Sequence, residues 1–228
     1  PLHCAAALIQ GDPLAVCEDW LATPLRPAAS GWREMFAQAE RRVAALAADW
    51  RSREDFEGAL IPALLDALPA SHSLFCGNSL PIRDLDAFSG SGDRPLRFFG
   101  NRGASGIDGN LSTAIGIASE GPCVALLGDL TLQHDLTALA AAGGRDIVVV
   151  VINNGGGGIF EYLPVAKLLE FERGWLTPQT VDPVAAAAAF GVSGERCASL
   201  DGFTSALRRA LRSEEHRVGK ECRSRWSP

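Results

Sequence analysis

Cys123-Val124-Ala125-Leu126-Leu127-Gly128-Asp129 and Asp146-Ile147-Val148-Val149-Val150-Val151-Ile152-Asn153-Asn154 are the two stretches that decide how this chain folds. Each is a short apolar run, the second strongly β-branched, that breaks on an oxygen-bearing side chain. Apolar residues at consecutive positions, not alternate ones, read as strands buried on both faces, as in a parallel sheet. Two such strands place Asp129 and Asn154, 25 positions apart, side by side at the carboxyl edge, where open α/β sheets bind ligands. Mg²⁺ prefers hard oxygens, takes one or two carboxylates, and fills its other positions with phosphate, carbonyl or water. Gly155 to Gly158 follow directly; they allow backbone close to a phosphate and offer N–H and C=O groups. The spacing predicts a site for a cation and a diphosphate.

Working outward, short apolar runs alternate with helical periodicity. Strands are expected at Ser73–Cys76, Leu96–Phe99, Cys123–Leu127, Ile147–Ile152 and near Arg196–Leu200. Helices are expected at Asn110–Ser119, Thr131–Ala142, Pro183–Phe190 and Gly202–Leu211. This alternation implies an α/β fold, a parallel sheet with helices on both faces. Upstream, Trp32, Met35, Phe36, Ala39, Val43, Leu46 and Trp50 recur at helical spacing, and a second helix is expected over Arg53–Leu68. Both read as packing elements without chemistry.

The boundaries that follow are residues 1–30 as the tail of a preceding domain and a linker, 31–211 as the diphosphate- and metal-binding domain, and 212–228 as a non-native tail. That tail has five Lys/Arg against three Asp/Glu, a net +2, so the other 211 residues carry −8 of the total −6. With an apolar strand missing after the Gly202–Leu211 helix, the sheet is expected to end in an open edge. The chain starts at Pro1 and reads as a piece of a longer protein.

The acidic balance argues against a nucleic-acid surface. No apolar run approaches the roughly 18 residues of a membrane span, so a cytoplasmic location is expected. Six cysteines without a CxxC read as thiols in a reducing compartment, and four isolated histidines argue against a zinc site.

Asn101-Arg102-Gly103-Ala104-Ser105-Gly106-Ile107-Asp108-Gly109 sets small residues around one Arg just before a helix, a natural anion site. Its glycine spacing does not match a dinucleotide fingerprint. Together with Gly77-Asn78-Ser79-Leu80-Pro81-Ile82-Arg83, Gly128-Asp129-Leu130 and Asn153-Asn154-Gly155-Gly156-Gly157-Gly158-Ile159-Phe160, this loop resembles the 2-succinyl-5-enolpyruvyl-6-hydroxy-3-cyclohexene-1-carboxylate synthase family of thiamine diphosphate enzymes. The superfamily pattern opens with Gly-Asp-Gly; Leu130 departs from it, as this family does.

The resemblance implies a thiamine diphosphate-binding fold and a Mg²⁺- or Mn²⁺-dependent transferase of menaquinone biosynthesis. Such an enzyme decarboxylates 2-oxoglutarate and adds the succinyl carbanion to isochorismate. It implies Asp129, Asn154 and the Gly156 carbonyl as metal ligands, and Ser105, Ile107, Gly128, Leu130 and Ile159 beside them at the cofactor. Ile107 would be the apolar prop beneath the bent cofactor. Ser79, Arg83, Arg102, Phe160 and Leu163 would face substrate. No catalytic residue is expected within these residues, because the activating Glu of the superfamily belongs to a separate pyrimidine-binding domain. Homodimers or homotetramers are implied, and inactivity of this chain by itself. Two alternatives stand beside this one: an acetolactate synthase or 2-oxoacid decarboxylase, and a non-catalytic phosphate-binding module.

Overall fold

The computed structural model describes residues 8–24, 26–50, 56–90, 94–212 and, as backbone, 217–223. The chain divides between Val43 and Ala44 into two compact units. The first contains α1 (Pro13–Ala22), a helix that the sequence reading took for linker. Asp12 caps it, accepting from Leu14 N and Ala15 N, Pro13 opens it, and Thr23 ends it just before Pro24. The amphipathic helix α2 (Trp32–Trp50) runs across the division, over the span its periodicity predicts.

In the second unit, helices and strands alternate as expected. After a 3₁₀ turn, Glu57–Ala59, come α3 (Leu60–Ala67), β1 (Ser73–Cys76), α4 (Leu80–Phe88), β2 (Arg97–Phe99), α5 (Asn110–Ile117) and β3 (Cys123–Gly128). Then follow α6 (Asp129–His134), β4 (Ile147–Asn153), α7 (Pro183–Ala189), β5 (Ser193–Cys197), α8 (Leu200–Arg212) and β6 (Arg217–Arg223). The helix expected over Thr131–Ala142 is in fact α6 plus a 3₁₀ stretch, Leu136–Ala141, broken at Asp135. Between β4 and α7 the chain advances in 3₁₀ turns, Gly158–Tyr162 and Pro164–Lys167, and a π-turn, Glu172–Leu176.

Among the described residues six strands form one parallel sheet, in the order β2-β1-β3-β4-β6-β5. Two apolar layers explain why β3 and β4 lack alternation. Val124, Leu126, Val148, Val150 and Ile152 pack with α3 and α8 residues such as Leu64 and Phe203. Their neighbours Ala125, Leu127, Val149 and Val151 pack on the opposite face with Leu111 and Leu139. Burying each Val or Leu is worth about 1.5–3 kcal/mol, which holds β3 and β4 at the centre of the sheet. From β1 the chain passes to β2 on one side and to β3 on the other, so the strand order reverses at β1/β3. Ligand crevices of open α/β sheets form outside the carboxyl ends at such a reversal. Among the described residues no helix is long and apolar enough to cross a membrane.

The expected missing final strand is corrected. Residues 217–223 pair with β4 on one side and β5 on the other. Arg217, Lys220, Glu221 and Arg223 make this stretch unlike a buried strand by side chain. Ladder bonds, however, use backbone N–H and C=O, and the stretch has no Pro to interrupt them. A chain ending at Arg212 would leave β4 and β5 with unpaired edges. Its melting temperature is expected to fall by about 5 °C or more, with self-association on size exclusion; unchanged melting and a clean monomer would refute a role for β6.

Candidate functional site

The turn after β1 is strained and held. Ser79 has φ 77° and ψ −134°, a region that costs a residue with a side chain about 1–3 kcal/mol and clusters at functional sites. One turn into α4, Arg83 donates from Nη1 to the Ser79 carbonyl at 2.7 Å. Asn78, 5% exposed, donates from Nδ2 to the carbonyls of Gly106 at 2.7 Å and Asn101 at 3.3 Å. Its Oδ1 accepts from Arg102 Nη1 at 3.2 Å. One buried carboxamide thus ties the turn after β1 to the loop after β2 and orients Arg102. From the other end, buried Asn110 donates to the carbonyls of Gly106 and Asp108 at 3.2 and 3.0 Å.

The tips of β3 and β4 lie side by side, Gly128 opposite Ile152. Asp129 follows at once and is buried. Its Oδ1 accepts from Leu130 N at 2.8 Å, whereas Oδ2 is buried with no hydrogen-bond partner. Burial pushes the Asp129 carboxyl upward, opposed by backbone N–H groups of Leu130, Gly156 and Gly155. The glycine turn after β4 therefore faces this carboxylate. Gly156 has φ 135°, and a Cβ there would run into the Leu176 carbonyl; only glycine fits.

The N–H groups of that turn are committed within the fold. Gly155 N donates to Asn153 Oδ1 at 3.1 Å, Gly157 N to the Leu176 carbonyl at 2.6 Å, and Gly158 N to the Gly156 carbonyl at 3.0 Å. Gly156 N–H acts on Asp129. The reading of these glycines as N–H donors to a phosphate is thus corrected: the π-turn Glu172–Leu176 has taken one of those donors. The Gly156 carbonyl, with two lone pairs and one N–H bound, still has an acceptor to offer a cation.

These tips enclose a cleft of about 130 Å³. Ser79 and Ile107 line it from the β1 and β2 side, Gly128, Asp129 and Leu130 from β3, and Asn154 and Gly156 from β4. Ile159 and Phe160 close it from the following 3₁₀ turn. Ser105, exposed on its loop, and Arg83, Arg102 and Leu163 lie outside this lining.

The residue that sequence reasoning missed is Glu57. It lines the same cleft, and its Oε2 accepts from Asn154 Nδ2 at 3.4 Å. The segment Arg53–Leu68 is therefore more than packing; residues 51–55 lie outside the described set. Glu57 follows Glu54 and Asp55 in sequence, and nothing in that acidic run singles it out before Gly58-Ala59-Leu60-Ile61. Burial, then the charge of Asp84, pushes the Glu57 carboxyl up to about 7. Burial pushes Asp84 up to about 6. Glu57 Oε1 and Asp84 Oδ2 are, like Asp129 Oδ2, buried and unpartnered.

Among the described residues no group of three or more His, Cys, Asp or Glu is placed for a metal ion. The donor set here is of another kind, one carboxylate, one carboxamide and one peptide carbonyl, which suits a hard cation that keeps positions for phosphate and water. The unpartnered Asp129 oxygen fits it, since a buried carboxylate wants a counter-charge.

The fold and this cleft are those of a cofactor-binding domain: the chain belongs to the family of the C-terminal TPP binding domain of thiamine pyrophosphate enzymes, whose model matches residues 88–218. Within that class it is similar to 2-succinyl-5-enolpyruvyl-6-hydroxy-3-cyclohexene-1-carboxylate synthases. The identity is 48% with that of Dechloromonas aromatica (strain RCB), over 92% of this chain and 38% of the relative. It is 41% with that of Sorangium cellulosum (strain So ce56) and 40% with that of Myxococcus xanthus (strain DK1622), each over 96% of this chain and 38% of the relative. The chain thus spans about 38% of the length of these curated relatives. Benzoylformate decarboxylase from Polynucleobacter necessarius superposes with a TM-score of 0.61 at 20% identity, over 76% of this chain and 34% of that one. The Rhodococcus jostii RHA1 thiamine diphosphate-dependent 4-hydroxybenzoylformate decarboxylase gives 0.58 at 23%, over 75% and 32%. At these identities the two structures share the fold.

Two outcomes follow from this geometry. Asn78→Ala removes the carboxamide that joins two loops, at a cost of about 1–3 kcal/mol; hydrogen exchange is expected to quicken across 101–109, and unchanged protection would contradict the tie. For Glu57 the folded pKa of about 7 lies above the ordinary glutamate value of 4.5. Between those values the folded chain holds a proton that the unfolded chain has released, so stability falls as pH rises through the window. Glu57→Gln should flatten that fall, gaining on the order of 2 kcal/mol at about pH 8 relative to about pH 5. Parallel melting profiles for the two proteins would contradict it.

Proposed function

We propose that this chain supplies the cation- and diphosphate-binding part of a thiamine diphosphate-dependent synthase, one that decarboxylates 2-oxoglutarate and adds the succinyl unit to isochorismate in menaquinone biosynthesis. The observation that carries the reading is the meeting of Asp129, Asn154 and the Gly156 turn in one cleft, with a buried Asp129 oxygen left unpartnered. Asp129 and Asn154 through side-chain oxygens, and Gly156 through its carbonyl, would hold Mg²⁺ or Mn²⁺. The cofactor, when bound, supplies the electron sink for decarboxylation.

The chain's own residues then bind and orient. Gly128, Leu130 and Ile159, with Ser105 from the neighbouring loop, would hold the cofactor, and Ile107 would support it. Arg83 and Arg102, beside the cleft and each held by one hydrogen bond, would be the cations for the two carboxylates of isochorismate; a guanidinium can grip a carboxylate with two parallel hydrogen bonds. Ser79, Phe160 and Leu163 complete the wall toward substrate. The likeness to synthase sequences at 40–48% identity supports this reading over a decarboxylase, as do Leu130 and the Arg102 loop. A backbone-only phosphate module is disfavoured because the glycine N–H groups are already engaged.

The relatives are much longer, and the Glu that activates the cofactor in this superfamily is not among the cleft acids assigned here. The 228 residues by themselves are therefore expected to bind cofactor weakly and to turn over no isochorismate. The complete enzyme is read as a cytoplasmic homodimer or homotetramer. Calorimetry with Mg²⁺ and thiamine diphosphate tests the site: Asp129→Ala should weaken binding by about 100-fold or more. Mg²⁺-dependent binding that survives this substitution would overturn the metal assignment. Turnover by the unaided chain would overturn the second expectation and leave the first intact.

A further inference from the structure

Glu57 reaches the cleft from a 3₁₀ turn 97 positions away in sequence from Asn154. We propose that it is the positioning residue of the ion site, taking the amide hydrogen of Asn154 and so fixing which end of that carboxamide is left for the cation. With Nδ2 committed to Glu57 Oε2 at 3.4 Å, Oδ1 is the acceptor that remains. With Glu57 as the carboxylate, the turned-over carboxamide would set Oδ1 against Oε2, two acceptors with no hydrogen between them, where little water can screen the repulsion. The inference rests on the reading of Asp129 and Asn154 as ligands and adds a residue to it.

The carboxylate sits on a stiff mount. Gly58 and Ala59 behind it are buried. A Cβ at Gly58 would lie 2.5 Å from ring atoms of both Phe56 and Phe88. Those rings meet edge-on at 4.9 Å, and Trp50 stands against Phe56 at 5.6 Å. The turn cannot swing away from Asn154 without unpacking this aromatic cluster. Buried Oε1, with no partner of its own, leaves Asn154 as the hydrogen-bond donor found for this side chain among the described residues. In this role Glu57 touches neither substrate nor ion. Removing outer partners of this kind changes metal affinity about 10–100-fold.

Mn²⁺ affinity of the full chain, followed by electron paramagnetic resonance in the presence of thiamine diphosphate, tests the role without any turnover. Glu57→Met fills the same space without an acceptor; its Mn²⁺ dissociation constant should rise about tenfold or more, although the apo protein melts no lower than the parent. Glu57→Gln, whose Oε1 accepts the same hydrogen, should stay within about twofold of the parent. Parent-like affinity in Glu57→Met overturns the proposal. So does an equal loss in Glu57→Gln, which would assign the effect to charge. Asp129→Ala is the separate arm: if it binds Mn²⁺ as the parent does, or the parent binds none, the ion-site reading fails and the Glu57 role falls with it.

Discussion

The in-register pairing of β3 with β4 is the constraint on which the rest of the site depends. Gly128 stands opposite Ile152, so the next residues of both strands leave the sheet together. Each strand is buried on both faces by separate apolar layers, and close packing resists exchanging side chains of different size between them. A shift by one residue would exchange the two faces of the strand and move its tip by about 3.3 Å. The hydrophobic core thus sets the distance between a carboxylate and a carboxamide, although neither takes part in the core.

On that frame the cleft is built at a cost to the fold. Ser79 occupies a backbone region that favours glycine, and Glu57, Asp84 and Asp129 each bury an oxygen without a partner. Burial is the leading cause of the raised pKa at all three. Unpaired buried carboxylates repel one another and lack the hydration they would have in water. A divalent cation would relieve both penalties together.

The elements legible in the sequence were those whose signal is local. The β-branched run Ile147–Ile152, the apolar run Cys123–Leu127 and the helical periodicity of Trp32–Trp50 stand in the structure within a residue or two of their expected ends. Strand-tip residues were legible for the same reason: topology carries them to one edge of the sheet. Three features were not. Helix α1 depends on an Asp12 cap within a Pro- and Ala-rich stretch. β6 is made by backbone pairing that its charged side chains do not advertise. Glu57 comes to Asn154 through the packing of Phe56 and Phe88, a tertiary contact with no periodic or spacing signature.

The glycine turn after β4 shows why composition alone misassigns a site. Four consecutive glycines suggest a cradle of free N–H groups for an anion, as backbone nests provide. Here the fold uses those hydrogens itself: Asn153 and Leu176 take two, the Gly156 carbonyl a third, and the fourth faces Asp129. What the turn has left to present is oxygen, from Asn154 and from the peptide carbonyls. An oxygen-rich turn beside a buried carboxylate repels a bare diphosphate and attracts a cation. On the proposed reading, a diphosphate would approach such a turn with a cation between them, since like charges this close repel.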